Sequence, residues 1–252
     1  MRMIYLGRDH ILTVAESSQP ELHKHFFKHI VMSYGESLHF TVDGQEIVTK
    51  GIVINSNIFH TISCEGQSHM NFLIEGTSYL AQQIDDLFLE GKPYAYLPPE
   101  LVEHIQAEKM FFTPIASSPK YYQNFYHCTE ILGLMPFIKR KRDERISHLL
   151  IYLKNLTIME PDIISKLTEK THLSQSRLSH LFKQEIGISL SSYLTLMKTA
   201  KAYEYVFKGE SITEAALKAG FSSSNHFAGT SKNLLGFSPS SLNKESIYLN
   251  FT

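Results

Sequence analysis

The sequence predicts a two-domain α+β protein: an N-terminal β-barrel with accessory helices, then a C-terminal all-α domain with two helix-turn-helix motifs. Three observations support this prediction. Short apolar segments separated by turn signals fill residues 3–75, one helical pattern occurs twice between residues 162 and 242, and the two halves differ in charge. We expect residues 1–138 to form the first domain and residues 139–252 to form the second.

The size and composition of the chain allow two folded domains. Its 252 residues are 43% hydrophobic, which is enough for two modest cores. Residues 139–252 contain 16 Lys and Arg against 10 Asp and Glu, whereas residues 1–138 contain 8 against 15. A basic half beside an acidic half favours a nucleic-acid-binding module joined to a different domain.

Several other classes of protein are disfavoured. The chain has no run of 18 apolar residues that would predict a transmembrane helix, and its N-terminus lacks the apolar core of a signal peptide. Cys64 and Cys128 form no CxxC pair, so we expect buried free thiols in a reducing cytoplasm. No GxSxG, Walker A or GxGxxG motif supports a hydrolase or a nucleotide enzyme. We therefore predict a cytoplasmic protein that is not an enzyme.

Seven short apolar segments predict the strands of the first domain. Turn signals separate them, above all Asp43-Gly44, a dipeptide typical of hairpins. Such regular spacing is typical of an all-β sandwich or barrel. The segments are Ile11–Val14, His29–Ser33, Leu38–Val42, Glu46–Val48, Gly51–Ile54, Phe59–Ile62 and Met70–Ile74.

After Gly76 the apolar spacing becomes helical. Tyr79–Leu89 predicts a first helix, and Pro98–Ile105 predicts a second, since proline is tolerated in the first turn. Tyr121–Leu132 predicts a third helix with a wide apolar stripe. This stripe either packs on its own barrel or forms a dimer interface, and we favour the interface.

The C-terminal half contains one pattern written twice, at an offset of 49 residues. Ile163 returns as Ile212, and Gly187 returns as Gly236. A repeat of this kind indicates two copies of one supersecondary unit. The other matched pairs include Leu167 with Ala216, Ser174 with Ser223, Leu178 with Phe227, Lys183 with Lys232, and Ser189 with Ser238.

Each copy has the pattern of two short amphipathic helices around a turn. In the first copy, Ser174 is suited to cap the second helix and Gly187 to end it. In the second copy, Gly220 makes the turn, and Ser222 or Ser223 caps the next helix. This arrangement is a helix-turn-helix, whose second helix can enter a DNA major groove. A plain helical bundle with no DNA-binding role is the alternative.

The remaining segments of this half connect and frame the two copies. Lys139–Arg142 is a run of four basic residues, which suits either a solvated hinge or a phosphate-contacting patch. A helix over Glu144–Asn155 then opens the second domain. A long helix over roughly Leu190–Lys208 joins the two copies.

Two runs of the sequence resemble the AraC/XylS family of bacterial transcription regulators. The run Leu178–Tyr193, LSHLFKxxxGxSxxxY, resembles the family's first helix-turn-helix. The run Ser211–Pro239 is similar to the second, which carries the family's signature. The resemblance covers about the last 110 residues. It implies a DNA-binding domain of seven or so helices, with both recognition helices on one face of the duplex.

The outward residues of the two recognition helices are the candidates for DNA contacts, because inward residues such as Leu178, Leu181 and Phe182 cannot reach a base. By motif position, the resemblance implies base contacts for Ser176, Ser179 and His180 and, in the second copy, for Ser224, Asn225, Ala228 and Gly229. The cations suit phosphate or guanine contacts. The candidate DNA-binding residues are Gln175, Ser176, Arg177, Ser179, His180, Lys183, Ser224, Asn225 and Lys232.

The second recognition helix departs from the family pattern. The family usually has Arg where Gly229 stands and Phe where Ser231 stands. The side chains of this helix are therefore small, and few of them are charged. We expect the first copy to supply most of the sequence discrimination, and the second to support it through backbone contacts and DNA shape.

The N-terminal half resembles the cupin-like sensor domain that many members of this family carry. His23-x-His25-x3-His29 approximates the cupin pattern HxHx3Ex6G, with His29 in place of the glutamate and Gly35 one position early. His60 resembles the histidine of the second cupin motif, although the Pro-x-Gly of that motif is missing.

These histidines have two interpretations. Imidazoles suit Zn, Fe, Ni or Cu, so His23, His25 and His60 could form a metal site. Because the acidic ligand is missing, we instead expect no metal or other cofactor. In that interpretation the domain is a degenerate cupin, whose histidines either line a ligand pocket or lie with their hydrogen bonds satisfied on the barrel wall. We select His25, His29 and His60 as the candidate pocket residues. Neutral imidazoles would offer one donor and one acceptor each, and protonated ones could meet an anion.

The resemblance therefore implies a transcription regulator, and we expect an activator that responds to a small-molecule effector in the barrel. Its expected partners are double-stranded DNA, RNA polymerase and a second copy of the chain as a homodimer, with no membrane. Its recognition helices would lie in successive major grooves, about 34 Å apart. The alternatives are a cupin-type metalloenzyme with a helical appendage and a constitutive DNA-binding dimer with no ligand.

Overall fold

The chain forms two compact units in the computed structural model. Unit 1 comprises Met1–Lys139 together with Leu242–Thr252, and unit 2 comprises Arg140–Ser241. Residues 242–252 thus group with unit 1, whereas the expected boundary placed them in the second domain. No helix in the described part is long and apolar enough to cross a membrane. The structure describes residues 2–7, 10–16, 21–64, 66–135, 142–156, 162–235, 238–241 and 246–250.

Unit 1 is built on two β-sheets. Its strands are β1 (Arg2–Leu6), β2 (His10–Ala15), β3 (Lys28–Ser33), β4 (Leu38–Val42), β5 (Gln45–Thr49), β6 (Gly51–Ile54), β7 (His60–Ser63), β8 (His69–Ile74), β9 (Tyr94–Tyr96) and β10 (Ser246–Asn250). The larger sheet has the order β10-β1-β2-β8-β3-β6-β9, and the smaller has the order β5-β4-β7. All neighbouring strands pair antiparallel except β1 and β10, which are parallel.

All seven strands predicted from apolar segments are confirmed within one or two residues. The hairpin turn is confirmed as well, since Asp43 and Gly44 have φ angles of 49° and 77° between β4 and β5. Positive φ at both central positions is the geometry of the tight turn that matches strand twist. β1, β9 and β10 have no counterpart among the predicted segments.

Two hydrophobic cores lie on opposite faces of the larger sheet. On the face toward the smaller sheet, Val31 and Ile52 pack with Phe40 and Ile62. Three helices cover the other face: α1 (Tyr79–Ile84), continued by a π-helical turn, α2 (Pro99–Glu108) and α3 (Ser118–Ile131). Strand β3 is buried along its whole length because it contributes to both cores. The two sheets and the covering helices form the cupin-like fold.

Most of the apolar stripe of α3 belongs to the core of unit 1. Tyr121, Phe125 and Cys128 are buried there, while Tyr122 and Tyr126 are partly exposed. The inner residues of the stripe are therefore already covered by their own domain, which is the alternative that we disfavoured. Only the partly exposed residues remain for a dimer interface.

The two cysteines are buried free thiols, as predicted. Cys64 lies in the core between the sheets, and Cys128 lies in the core under the helices. Burial raises the pKa of the Cys128 thiol to about 12, so this thiol stays protonated and unreactive near neutral pH.

Unit 2 is helical, and each helix that the sequence predicted is present. Its helices are α4 (Glu144–Lys154), α5 (Ile163–Thr171), α6 (Gln175–Ile186), α7 (Leu190–Phe207), α8 (Ile212–Lys218) and α9 (Ser224–Leu235). A 3-10 turn follows at Pro239–Ser241. The described part of unit 2 thus has six α-helices, against the seven or so that the family resemblance implies. Of the basic run, residues 139–141 lie outside the described residues, as does Gly236.

Helix α7 joins the two repeated motifs. Near its start, the ring of Tyr193 contacts Phe182 of α6, with centroids 5.4 Å apart. Near its end, the ring of Tyr203 contacts Phe227 of α9, with centroids 5.3 Å apart. The helix has 18 residues, so it spans about 27 Å. Each end of α7 therefore supplies the buried wall of one helix-turn-helix.

Candidate nucleic-acid interface and histidine cluster

The first helix-turn-helix consists of α5 and α6. His172, with a φ of 54°, reverses the chain after α5. The Ser174 side chain accepts a hydrogen bond from the backbone N–H of Arg177, which caps α6 as predicted. Gly187 ends α6 with a φ of 90°, a conformation that favours glycine.

Helix α6 presents a polar surface to solvent. Leu178 and Phe182 are fully buried, and Leu181 is half-buried. All six candidate residues of this helix are exposed, so none of them serves the core. They are Gln175, Ser176, Arg177, Ser179, His180 and Lys183. The surface offers two cations, an amide, an imidazole and two hydroxyls, which are the groups that contact phosphates and base edges.

The second helix-turn-helix consists of α8 and α9, and its recognition helix exposes fewer charged side chains than α6 does. Ser223 caps α9 by accepting from the backbone N–H of His226 at 3.1 Å, which selects one of the two predicted caps. Asn225 and Lys232 are exposed, while Ser224 is half-buried. Of the candidates on this helix, only Lys232 carries a charge.

The two departures from the family pattern on α9 lie in different surroundings, one exposed and one buried. A Cβ atom added at Gly229 would meet nothing within 4 Å, so this position faces open space and could accept a larger side chain. Ser231 is fully buried, and its hydroxyl lies 2.5 Å from that of Tyr203 on α7. The Tyr203 side chain thus lies against the small side chain of Ser231.

A capping box that the sequence reading overlooked begins α8. Ser211 accepts from the backbone N–H of Glu214 at 3.2 Å, and the Glu214 carboxylate accepts from the backbone N–H of Ser211 at 3.2 Å. The Ser-x-x-Glu spacing is a known signal for a helix start. Together with the caps of α6 and α9, it defines where three of the four helices of the motifs begin.

The four histidines of the cupin-like motifs converge in unit 1. His29 lies on β3, and His60 begins β7. The backbone of His23 exchanges hydrogen bonds with that of His60, at 3.1 and 2.9 Å, and His25 follows in the same segment. Ring centroids of His23 and His60 are 4.6 Å apart, and those of His25 and His29 are 4.7 Å apart. All four side chains are buried.

Burial disfavours the protonated form of every histidine in the cluster. Burial, followed by the neighbouring His23, lowers the pKa of His60 to about 4. Burial and then the surrounding imidazoles hold the pKa values of His25 and His29 well below the usual value for histidine. Burial also lowers the pKa of His23. Neutral imidazoles offer lone pairs, so this arrangement suits a Lewis acid or a hydrogen-bond donor better than an anion.

Three of these histidines have the spacing of a possible metal site. One ring nitrogen from each of His23, His25 and His60 lies within 4.8 Å of the other two. His29 is not part of this set, because its two ring nitrogens face Asn71 at 2.8 Å and His25 at 3.0 Å. The structure thus brings together all three residues expected to line a pocket, His25, His29 and His60, with His23 beside them.

A separate cavity of about 960 Å³ lies over α2 and α3 in unit 1. Its walls include Met110, Ile115, Asn124 and His127, and none of the four clustered histidines lines it. The sequence offered no signal for this cavity, because its walls come from the loop between two helices and from the outer side of α3.

Taken together, two helix-turn-helix motifs on a shared helix define a DNA-binding domain of the AraC type, joined to a cupin-like domain. Residues 167–245 match the helix-turn-helix domain family, which confirms the resemblance found in the sequence. The chain therefore carries an AraC-type helix-turn-helix domain in its C-terminal region.

Solved structures of ToxT from Vibrio cholerae have a similar fold over both units. The apo form of a ToxT variant is 13% identical, with a TM-score of 0.57 over 93% of this chain and 96% of that one. Wild-type ToxT with a bound unsaturated fatty acid is 14% identical, with a TM-score of 0.57 over 93% and 94%. Among curated proteins, no sequence relative matches. The similarity in fold supports the two-domain architecture.

Proposed function

We propose that this protein is a transcription activator that binds double-stranded operator DNA through α6 and α9 and responds to a small molecule bound in unit 1. The observation that carries the proposal is the pair of capped, fully formed helix-turn-helix motifs. Their outward residues are polar, and their inward residues are buried. The six polar candidate residues on successive turns of α6 are all exposed, so none of them packs in the core. A plain helical bundle has no need of such a surface.

The first motif makes most of the sequence-specific contacts in this proposal. His180, Ser176 and Ser179 lie on the exposed surface of α6 and contact base edges. Arg177 and Lys183 contact phosphates or guanine. In the second motif, the small side chains of Ser224 and Asn225 contact the DNA, and Lys232 contacts the DNA backbone. The long helix α7 keeps the two recognition helices apart, so that they enter successive major grooves.

Unit 1 supplies the effector response. ToxT, which shares the two-unit fold, was solved with an unsaturated fatty acid and with a naphthalenyl butenoic acid bound. This supports a small-molecule effector for the present chain, and the buried cluster with His25, His29 and His60 is our candidate binding site. The protein acts as a homodimer that uses the exposed side of α3, and it recruits RNA polymerase once bound to DNA.

The test is a fluorescence anisotropy titration of the full-length protein against the duplex upstream of its own gene and against an unrelated duplex. We expect selective binding whose logarithmic affinity falls steeply with salt, by about 0.9 per phosphate neutralised. Equal, weak binding to both duplexes would reject sequence-specific recognition.

A pair of charge-matched variants assigns the binding to α6. Arg177→Gln removes one exposed cation from the recognition helix, and Lys208→Gln removes one exposed cation just beyond α7. We expect the first to weaken specific binding by about tenfold and the second to leave it nearly unchanged. Equal effects of the two variants would contradict a recognition role for α6.

A further inference from the structure

We propose that the edge of β1 is a docking site for the C-terminal segment Ser246–Asn250, and that this segment is a releasable strap on the DNA-binding unit. Docked as β10, the strap holds unit 2 to unit 1 at both ends of unit 2. Released, it leaves unit 2 on a single connection and freer to meet DNA. The effect on DNA affinity rests on the proposed function, whereas the restraint itself does not.

The path of the chain makes unit 2 an insertion. Unit 1 comprises residues 1–139 and 242–252, and unit 2 comprises the residues between them. The chain thus leaves unit 1 before α4 and returns to it after the last turn of unit 2. A domain on one connection can swing about it, but a domain on two must satisfy both at once and loses much of that freedom.

The second connection is the shorter one. Residues 132–143 separate α3 from α4, whereas residues 242–245 alone separate the 3-10 turn of unit 2 from β10. An extended residue spans at most about 3.6 Å, so so few residues provide little slack. While β10 is docked, the second connection therefore limits the movement of unit 2 more than the first does.

The β1 edge is held in place by the rest of unit 1. Strand β2 pairs with β1 along its whole length on the other side. Tyr5 of β1 is fully buried, and its hydroxyl accepts a hydrogen bond from the backbone N–H of Ile115 at 3.1 Å. Its ring stacks on that of Tyr121 of α3, with centroids 5.2 Å apart. These contacts do not involve β10, so the docking edge persists when the strap leaves.

The sequence of the strap matches this edge in phase. Ile247 and Leu249 alternate with more polar residues, which is the pattern of a strand with one buried face. The register places Ile247 opposite Met3 and Leu249 opposite Tyr5. Met3 and Tyr5 both belong to the core under the helices. A slip of one residue would put the apolar positions on the other face, so the pattern specifies this pairing.

Several features make β10 the strand that detaches most readily. It lies at the edge of the larger sheet and pairs with β1 alone among the described strands. Its pairing is parallel, which is slightly less stable per residue than antiparallel pairing. It also lies next to the C-terminal end of the sequence, and terminal segments open at low free energy. Docked and released forms can therefore exchange without unfolding unit 1.

The first experiment releases the strap by deleting residues 246–252. The control deletes only residues 251–252, which follow β10. Binding to the duplex upstream of the gene is measured by fluorescence anisotropy. We expect the longer deletion to tighten binding by about tenfold, because the binding-competent form is no longer a minor population, and the control to leave it unchanged. Unchanged or weaker binding after the longer deletion would overturn the proposal.

The second experiment locks the strap in place reversibly. Arg2 and Ser246 are partners in the register, so Arg2→Cys with Ser246→Cys places two thiols on adjacent strands. Cys64 and Cys128 are buried and do not compete. We expect the oxidised protein to bind DNA about tenfold more weakly than the same protein after reduction. Arg2→Cys alone controls for the lost cation and should not respond to reduction.

The cross-link also distinguishes docking within one chain from exchange between two chains. A disulfide within one chain, seen as a monomer on a non-reducing gel, supports the strap. Because an exposed strand edge can pair with another molecule, a disulfide that joins two chains is the alternative. That result would assign the segment to a second copy and refute a restraint within the chain.

Small-angle scattering without DNA tests the restraint separately from the proposed function. The maximum dimension should be larger for the deletion of residues 246–252 than for the oxidised cysteine pair. Equal dimensions would overturn the restraint, whatever the DNA titration shows. A difference in dimension with no DNA binding by any form would support the strap and reject the proposed function. Circular dichroism checks folding, and if the deletion is unfolded, the oxidised and reduced forms of the cysteine pair decide.

Discussion

The two helix-turn-helix motifs have equally well-packed interiors but different exposed surfaces. In the first motif the buried positions of the recognition helix hold Leu178 and Phe182, and at the same repeat positions the second motif holds Phe227 and Ser231. The bulky ring has moved by one helical turn, and Tyr203 lies against both Phe227 and Ser231. The interior has thus changed residues while remaining closed.

The surfaces have diverged much further than the interiors. Helix α6 exposes Arg177, His180 and Lys183, whereas α9 exposes Asn225, Gly229 and Lys232. A buried position must fill a fixed space, but an exposed position is limited only by what it binds. The comparison teaches that one scaffold can be used twice with very different exposed surfaces, and we expect the more polar copy to do most of the sequence reading.

The largest expected effect tests whether the two interiors are equivalent. Phe182→Ala and Phe227→Ala should each destabilise unit 2 by about 3–5 kcal/mol, because both rings are fully buried. Hydrogen exchange in denaturant, followed on the peptides of unit 2, measures this loss. The exposed Leu217→Ala on α8 serves as control and should stay within about 0.5 kcal/mol. A large loss for only one of the two phenylalanines would show that the motifs differ in structural importance.

The next effect tests the asymmetry in DNA reading. His180→Ala should lower the preference for specific over unrelated DNA by about 1–3 kcal/mol, because it removes a base contact. Asn225→Ala should cost clearly less. Anisotropy titrations against single-base variants of the operator measure both. If Asn225→Ala relaxed base preference more than His180→Ala did, the second motif would be the main reader.

The smallest effect tests whether a cation added to the exposed surface of α9 strengthens its contact with DNA, as the cations of α6 are expected to do. Gly229→Arg should steepen the salt dependence of binding by about 0.9 in logarithmic slope, through one added phosphate contact. Gly229→Ala is the matched control, since both changes remove a mid-helix glycine that costs about 1 kcal/mol. The two variants should gain similar stability. An equal salt slope in both would mean that this position does not face the DNA backbone.

Local sequence signals predicted the helical unit well. Helices begin after Ser174 and Ser223, and α6 ends at Gly187, as the sequence predicted. These signals are local because a cap depends on residues only three or four positions away. The exposed set on α6 followed from helical periodicity alone. The signal in Ser211 and Glu214 was present as well and was overlooked.

The sheets of unit 1 were predicted strand by strand but not in their pairing. Strand β10 pairs in parallel with β1, from Arg2 with Ser246 to Leu6 with Asn250, although nearly the whole chain separates them. No local pattern specifies such a partner. The same limit applies to α3, whose stripe fits either its own core or a dimer until the packing of Tyr121 is known.

The sequence by itself determined the two-domain organisation, the repeated motif, the exposed polar surface of α6 and the residues of the histidine cluster. These depend on periodicity, spacing and caps within short segments. Tertiary structure alone decided that His29 points at Asn71 and His25, and that Ser231 meets Tyr203. Such contacts depend on the register between segments far apart in the chain, which individual residues do not encode locally.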